Sequence, residues 1–533
     1  MSSLPADCLS IIFKYFYNDL TTLYSCLLVN TLWCSTIIPI LWSNPWKYHY
    51  ELLPNGYLST DHKRSTQVEI QSLLLLRTLS SCFSNDSKQF LRNYGICINF
   101  GPPFFNYAKY CRSLNTYDID YMLRKAQKNH QCFYTEDTRD FVGLEIYKLL
   151  FRQSSIITCL NISHQLSPIY SQIWLFHGVA SCFSTLKEFS CYESYAIDLN
   201  LFYCISDFSS NIRKLSIDSK IYIHYDEGLI DLIQNQSNLN YLSLTNISCG
   251  LWLKVADVFI SGHAISLTHL YLKSFDTCFP VFGISELRNL RSLIITCHEI
   301  DWSGIADACF PFLEILEFGR YFPSMIILAS IISKTNKMLK RIYISNYQCM
   351  DPENSALFFR AIIDFCPNLR YLSASFNYIT DETIENISRM LDSCHHLEGL
   401  SLRAQDSSQV SYDNRSLDGD ILFNLFIDHA PNTLCNIKFD YSEDGCETAL
   451  KFSYTAIKSF LINWEKQKRL KLGLSMIIED SDMHIHELHA IEDMFCEYRV
   501  KGVLETCKLI SKSPQIFSIR PEDWQRIIHD DFT

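Results

Sequence analysis

The sequence predicts an α/β solenoid with a short, all-helical module at its amino end, and three observations predict it. One phrase, in the order apolar, two variable, apolar, one variable, apolar, returns eleven times between Ile157 and Phe439. Between the phrases lie stretches whose apolar residues recur every three to four positions. Ahead of them stands an apolar cassette, Leu4 to Trp42, from which charge is nearly absent.

The phrases are Ile157-Thr-Cys-Leu160-Asn-Ile162, Leu186-Lys-Glu-Phe189-Ser-Cys191, Ile212-Arg-Lys-Leu215-Ser-Ile217, Leu239-Asn-Tyr-Leu242-Ser-Leu244, Leu267-Thr-His-Leu270-Tyr-Leu272 and Leu290-Arg-Ser-Leu293-Ile-Ile295. They continue as Leu313-Glu-Ile-Leu316-Glu-Phe318, Leu339-Lys-Arg-Ile342-Tyr-Ile344, Leu369-Arg-Tyr-Leu372-Ser-Ala374, Leu397-Glu-Gly-Leu400-Ser-Leu402 and Leu434-Cys-Asn-Ile437-Lys-Phe439. Successive starts lie 29, 26, 27, 28, 23, 23, 26, 30, 28 and 37 residues apart, around the period of roughly 20–29 residues that marks leucine-rich repeats. A strand sends successive side chains to opposite faces, so each phrase reads as a short strand with its apolar residues turned inward. No single repeat can cover its own apolar edge, so neighbours must stack and the stack needs closed ends.

Between strands the chain turns helical. Thr380-Asp-Glu supplies an N-cap and an acidic first turn, and Ile384, Ile387, Leu391 and Cys394 follow at helical spacing. Asp420-Ile-Leu422 with Leu425-Phe426, and Leu357-Phe358 with Ala361-Ile362 and Phe365, repeat that logic. Strands are expected on the concave side and helices on the convex side. The expected organisation is a helical module over 1–47, a helical linker with irregular early repeats over 48–154, the solenoid over 155–475, and a cap and tail over 476–533. Leu470-Lys-Leu472-Gly-Leu474 is the expected last strand.

Composition narrows the function classes. Of 533 residues, 48% are hydrophobic and 14% aromatic, ample material for a large core. Net charge is −12 with both signs interspersed, the opposite of the basic face from which nucleic-acid binding starts. No secretory signal opens the chain, and the richest apolar run, Met325 to Ile332, is far shorter than the roughly 18 residues that span a bilayer. The expectation is a soluble protein of the cytoplasm, the nucleus or both, with no membrane and no nucleic-acid partner. The 22 cysteines are scattered, many at inward phrase positions such as Cys191, and read as small buried hydrophobes rather than disulfides. No phosphate-binding glycine loop, nucleophile elbow or zinc-protease helix occurs, so no enzyme, catalytic residue or cofactor is expected. His484, His486 and His489 with Glu487 lack a cysteine pair at ligand spacing and read as a solvated turn rather than a metal site. Histidines at Cys394-His395-His396 suit the negative end of a helix.

The amino-terminal cassette resolves into three helices. Leu4-Pro5 opens the first, because proline's missing N–H is unpaired in a first turn anyway. Asn18-Asp19 opens the second, carrying Leu20, Leu23, Leu27 and Leu28; the third runs past Asn30 through Trp33, Ile37 and Ile38 to Pro39. Asp7, Lys14, Asp19 and Lys47 are the only charged side chains among residues 1–47. A unit this small buries too little of its own surface, so part of its apolar surface is expected to meet another protein.

Leu4-Pro5, Leu9, Ile12-Phe13, Asp19-Leu20, Val29-Asn-Thr-Leu-Trp33 and Leu41-Trp42 together resemble the F-box. With the repeats behind it, the chain resembles F-box proteins with carboxy-terminal leucine-rich repeats, in the divergent form of expanded fungal families. It departs from them in lacking basic residues around the Val29-to-Trp33 step. The resemblance implies a receptor of an SCF-type ligase, its F-box docking a Skp-type adaptor joined to cullin and RING proteins while the repeats bind a protein substrate. It implies adaptor contacts at Leu4, Pro5, Leu9, Ile12, Phe13, Leu20 and Leu28, with Val29 and Trp33 packing the helices together. Two readings stay beside it: a leucine-rich-repeat scaffold with no ubiquitin role, its cassette a mere end cap, and a small-molecule pocket inside the curve.

The third, fifth and seventh phrase positions face away from the core. They make Tyr241, His269, Tyr271, Lys273, Arg341, Tyr343, Tyr371 and Arg403 the candidate substrate surface, since tyrosine and arginine dominate contact energies. Tyr271, Tyr343 and Tyr371 with Lys273, Arg341 and Arg403 point to a partner with acidic or phosphorylated features, against the alternative of a merely solvated strand face.

Overall fold

In the computed structural model the described residues are 4–47, 62–96, 101–129, 135–154, 156–163, 173–194, 199–223, 226–274, 279–297, 300–319, 322–344, 352–376, 380–404, 418–440, 450, 452–467, 470–478 and 485–511. The chain forms two compact units, Met1–Leu290 with Cys297–Gly304 and Arg291–Thr296 with Ile305–Thr533.

The first unit begins with α1 (Ala6–Tyr15), α2 (Leu20–Leu27) and α3 (Thr31–Leu41). Pro5 stands at the N-cap of α1. Asp19 caps α2 by accepting from the Thr22 N–H at 3.0 Å and its hydroxyl at 2.6 Å, which holds the Asp19 carboxyl below its ordinary range. Asn30 caps α3 through the Trp33 N–H at 2.9 Å. Pro39 does not end α3, which continues to Leu41. A proline in the last turn removes only its own N–H, while Ile38 and Ile40 on either side of it are buried.

The stretch 48–154 holds the long helices His62–Ser81, Thr116–Asn129 and Glu136–Gln153, the shorter Asn85–Asn93, and the strand Ser113–Asn115. That strand pairs in parallel with Cys159–Ser163, so the sheet starts ahead of the first phrase. Glu188–Ser194, Lys214–Ile223, Tyr241–Ile247 and His269–Ser274 follow, each parallel to the one before. Helices Val179–Phe183, Leu199–Phe208, Glu227–Gln234 and Cys249–Val258 alternate with them.

In the second unit Ser292–Cys297, Ile315–Phe318, Arg341–Ile344, Tyr371–Phe376, Gly399–Ala404, Asn436–Asp440, Leu472–Ile478 and Leu504–Ser511 pair in the same parallel manner. Asp381–Ser393 starts at Thr380, whose hydroxyl accepts from the Thr383 N–H at 3.1 Å, and ends at the buried Cys394. Pro352–Phe365 and Asp420–His429 occupy the other two stretches with helical spacing. The expected last strand forms over Leu472–Ile478, and 476–533 adds the helix Ile485–Val500 and one further strand. The tail Pro521 to Trp524 lies outside the described residues.

Each of the eleven phrases holds a strand that begins at its second variable position, and every one of their apolar positions is buried. Where phrase starts lie only 23 residues apart, the spacers hold the short 3-10 turns Ile284–Glu286 and Trp302–Ile305 instead of α-helices, because too few residues remain. Burial pushes the Cys191 and Cys394 thiols up to about 12. All cysteines among the described residues are free.

His263 closes a π-turn in the first unit, buried, with Nε2 at 2.8 Å from the Ile233 carbonyl. Burial lowers its pKa below 6.5 and the Ile233 hydrogen bond opposes this only in part. A lowered histidine pKa leaves the unfolded chain holding more protons, so stability is full above 6.5 and falls as pH drops through that value toward the folded one. Thermal midpoints taken from about pH 7 to about pH 5 should therefore drop further for the wild type than for His263→Gln. Parallel curves would contradict this.

Candidate functional site

The three amino-terminal helices present two different surfaces. On one, Leu9, Phe13, Leu23, Ile37 and Ile40 form a closed core, with Trp33 packed edge-on against Phe13 at 5.1 Å. On the other, large apolar side chains meet solvent. Leu4, Pro5, Ile12, Leu20 and Leu28 are exposed, Leu28 to 71%. Leu9 and Phe13, each 2% exposed, are not available to an adaptor: they hold the trio together. Val29 also departs from its expected packing role and is 57% exposed. Ile11, Tyr15, Phe16, Tyr24 and Leu32 join the exposed set. The sequence carried a signal for several of them, since Leu20, Tyr24 and Leu28 repeat at i, i+4, as do Ile11 with Tyr15 and Ile12 with Phe16.

The trio is fastened to the sheet through the turn after α3. The Ser43 carbonyl accepts from the N–H groups of Arg112 and Ser113 at 2.8 and 3.1 Å. Trp46 is fully buried and its indole N–H donates to the Ser113 carbonyl at 3.2 Å. Trp42 lies against Tyr107, ring centres 4.6 Å apart. This two-for-one carbonyl pattern continues through the first unit. The Arg112 carbonyl accepts from Thr158 and Cys159, that of Thr158 from Lys187 and Glu188, that of Lys187 from Arg213 and Lys214, and that of Arg213 from Asn240 and Tyr241. Ser43 thus occupies the place of one repeat more, and the trio both caps the sheet and leaves an apolar surface uncovered.

The candidate substrate residues fall into two sets. In the first unit, register places Tyr241 opposite His269, Ser243 opposite Tyr271 and Thr245 opposite Lys273. Tyr241 lies 6.0 Å from the His269 ring and carries the Lys214 ammonium at 5.1 Å, and burial raises its hydroxyl pKa. His269 Nδ1 lies 2.8 Å from the Thr268 hydroxyl. Tyr271 is half-buried and Lys273 exposed.

In the second unit, Arg341 Nε meets Glu317 Oε1 at 2.7 Å, and both side chains are nearly buried. Burial raises the Glu317 carboxyl pKa and the guanidinium opposes that rise. Tyr371 donates to Glu398 Oε2 at 2.8 Å; burial first, and that hydrogen bond second, raise its hydroxyl pKa. Tyr343 is half-buried and Arg403 buried. Arg341 is therefore taken up by its own neighbour, and Arg403 is withdrawn from solvent. Neither is a free cation for a phosphorylated partner.

Among the described residues no three metal-ligating side chains come together. His489 pairs with Glu492 at 3.3 Å, and His484 lies outside the described residues. No described helix is long and apolar enough to cross a membrane.

No protein-family profile matches the chain, nor does any curated protein. Among solved structures it is similar to a chain in the crystal structure of the Rad7 and Elc1 complex in yeast, with 14% identity and a TM-score of 0.39, over 72% of this chain and 92% of that one.

Proposed function

We propose that this chain is a non-enzymatic substrate receptor of an SCF-type ubiquitin ligase in the cytoplasm, the nucleus or both. In this reading the amino-terminal trio is an F-box that docks a Skp-type adaptor, and through it cullin and RING proteins, while the leucine-rich repeats hold a protein substrate. The observation that carries it is the uncovered apolar surface on a trio whose carboxy-terminal end is already fastened to the sheet. Soluble proteins rarely leave so many large apolar side chains in water without a partner for them.

The test separates docking from folding. Ile12→Glu with Leu28→Glu changes two exposed positions, so the free energy of unfolding should stay within about 1 kcal/mol of wild type. Capture of a purified Skp-type adaptor should fall at least about tenfold, the cost of losing apolar anchors and desolvating charges at an interface. Phe13→Ala instead deletes a core side chain and should reduce capture only together with stability. Wild-type chain that captures no adaptor would favour the scaffold reading.

A further inference from the structure

The second phrase position runs as a row along the edge where the strands begin, and its charge differs between the units. In the second unit the row neutralises itself: Glu314 binds Arg291 at 3.4 Å and Lys340 at 2.6 Å, and Arg370 meets Glu398 at 3.5 Å. In the first unit the row reads Arg112, Thr158, Lys187, Arg213, Asn240 and Thr268, with cations and no carboxylate. Arg112 spends its guanidinium on the carbonyls of Lys109, Cys111 and Ile156. Lys187 and Arg213 are exposed, and among the described residues neither side chain has an ion-pair or hydrogen-bond partner. The Arg213 N–H donates to the Lys187 carbonyl at 2.7 Å, so the two side chains start from adjacent strands, about 5 Å apart.

Lys214 stands next to them, over the Tyr241 ring rather than on Glu188, its register partner. Glu188, the adjacent carboxylate, offsets one of these three charges, and Asp218, four residues further along the strand from Lys214, already accepts the Thr245 hydroxyl at 2.6 Å. In a chain of net charge −12, two adjacent unpaired cations backed by a third form a local positive edge that repels nothing but other cations.

We propose that this edge docks an acidic segment of a partner protein, carboxylates seated on Lys187 and Arg213 and a neighbouring side chain against Tyr241 and His269. The inference rests on the reading above in taking the repeats to hold a protein, and it moves the acidic-partner expectation away from Arg341 and Arg403. A nucleic acid fits less well, because two free cations flanked by Glu188 cannot track a phosphate backbone.

The test uses full-length chain and a fluorescent peptide of about twelve residues rich in glutamate, with its glutamine counterpart as control, in fluorescence anisotropy at low and physiological salt. Wild type should bind the glutamate peptide and not the glutamine one. Lys187→Glu with Arg213→Glu should weaken binding at least about tenfold, as expected when attraction becomes repulsion. Lys254→Glu, exposed on the helix Cys249–Val258, should leave binding unchanged. Equal losses from the edge and helix reversals would reduce the effect to net charge and overturn the proposal. So would tighter, edge-dependent binding of a phosphopeptide or of a short oligothymidine. Adaptor capture by the edge variant should match wild type, so failure of this inference and failure of the ligase reading appear in different measurements.

Discussion

Replacing Trp46 with alanine is expected to loosen the amino-terminal trio from the sheet and to lower the stability of the first unit by about 3 to 5 kcal/mol. Trp46 is fully buried, and its indole N–H meets the Ser113 carbonyl at 3.2 Å. Alanine removes a large, fully buried side chain at the junction, opens a cavity and leaves the Ser113 carbonyl to the weaker Cys111 thiol at 3.1 Å. The Ser43 carbonyl, which holds the first strand through Arg112 and Ser113, loses its support in the same step. Trp46→Phe keeps most of the bulk and should cost much less, chiefly the hydrogen bond at about 1 kcal/mol. Urea unfolding followed by circular dichroism measures the difference, and limited proteolysis after Lys47 should accelerate in the alanine variant alone. An unchanged midpoint would mean that the trio is tethered rather than built in.

Arg341→Ala is expected to destabilise the second unit by about 3 to 5 kcal/mol, because it strips the partner from a carboxylate in the sheet. Glu317 is 4% exposed and its bond to Arg341 is 2.7 Å long. Burial already raises the Glu317 pKa and the guanidinium opposes the rise, so removing the guanidinium raises it further. A carboxyl whose folded pKa is raised stabilises the fold below its ordinary pKa and loses that contribution as pH climbs through the folded value. The deficit of Arg341→Ala should therefore be largest at about pH 8 and shrink toward about pH 5. Arg341→Met with Glu317→Leu, which removes both charges, should recover much of the loss. A deficit that grows on acidification would show that the pair does not set it.

The parts of the fold legible in the sequence were those governed by short-range periodicity. Leu242 and Leu244 had to share a face because strand side chains alternate, and stacking then buried them. Asp19, Asn30 and Thr380 announced helix starts because a short polar side chain satisfies a first-turn N–H within three residues. Less legible was the side of the trio that each apolar residue takes. α1 has one polar stripe, Asp7, Ser10 and Lys14, and apolar residues on the rest of its surface, so Ile12 and Phe13, adjacent in sequence and alike in character, gave no indication that Phe13 turns inward and Ile12 outward. The strand Ser113–Asn115 lies in the stretch expected to hold irregular early repeats, but its place was not legible because its third inward position is Thr116, although Cys111, Leu114 and Thr116 are all buried.

Charge pairing lay furthest from view. Arg341 and Arg403 read as surface cations in the sequence, whereas Arg341 lies beside Glu317, one repeat away, and Arg403 is buried. Lys187 and Arg213, two ordinary basic residues in the sequence, were left without a carboxylate by the same stacking. The amino-acid order alone determined that the chain folds as repeated strand-and-helix units behind three apolar helices, since alternation, helical spacing and capping act over a few residues. Only the tertiary structure decided which apolar side chains remain outside and which charges remain unpaired. Both depend on neighbours brought together across a repeat, at separations where local pattern carries no information.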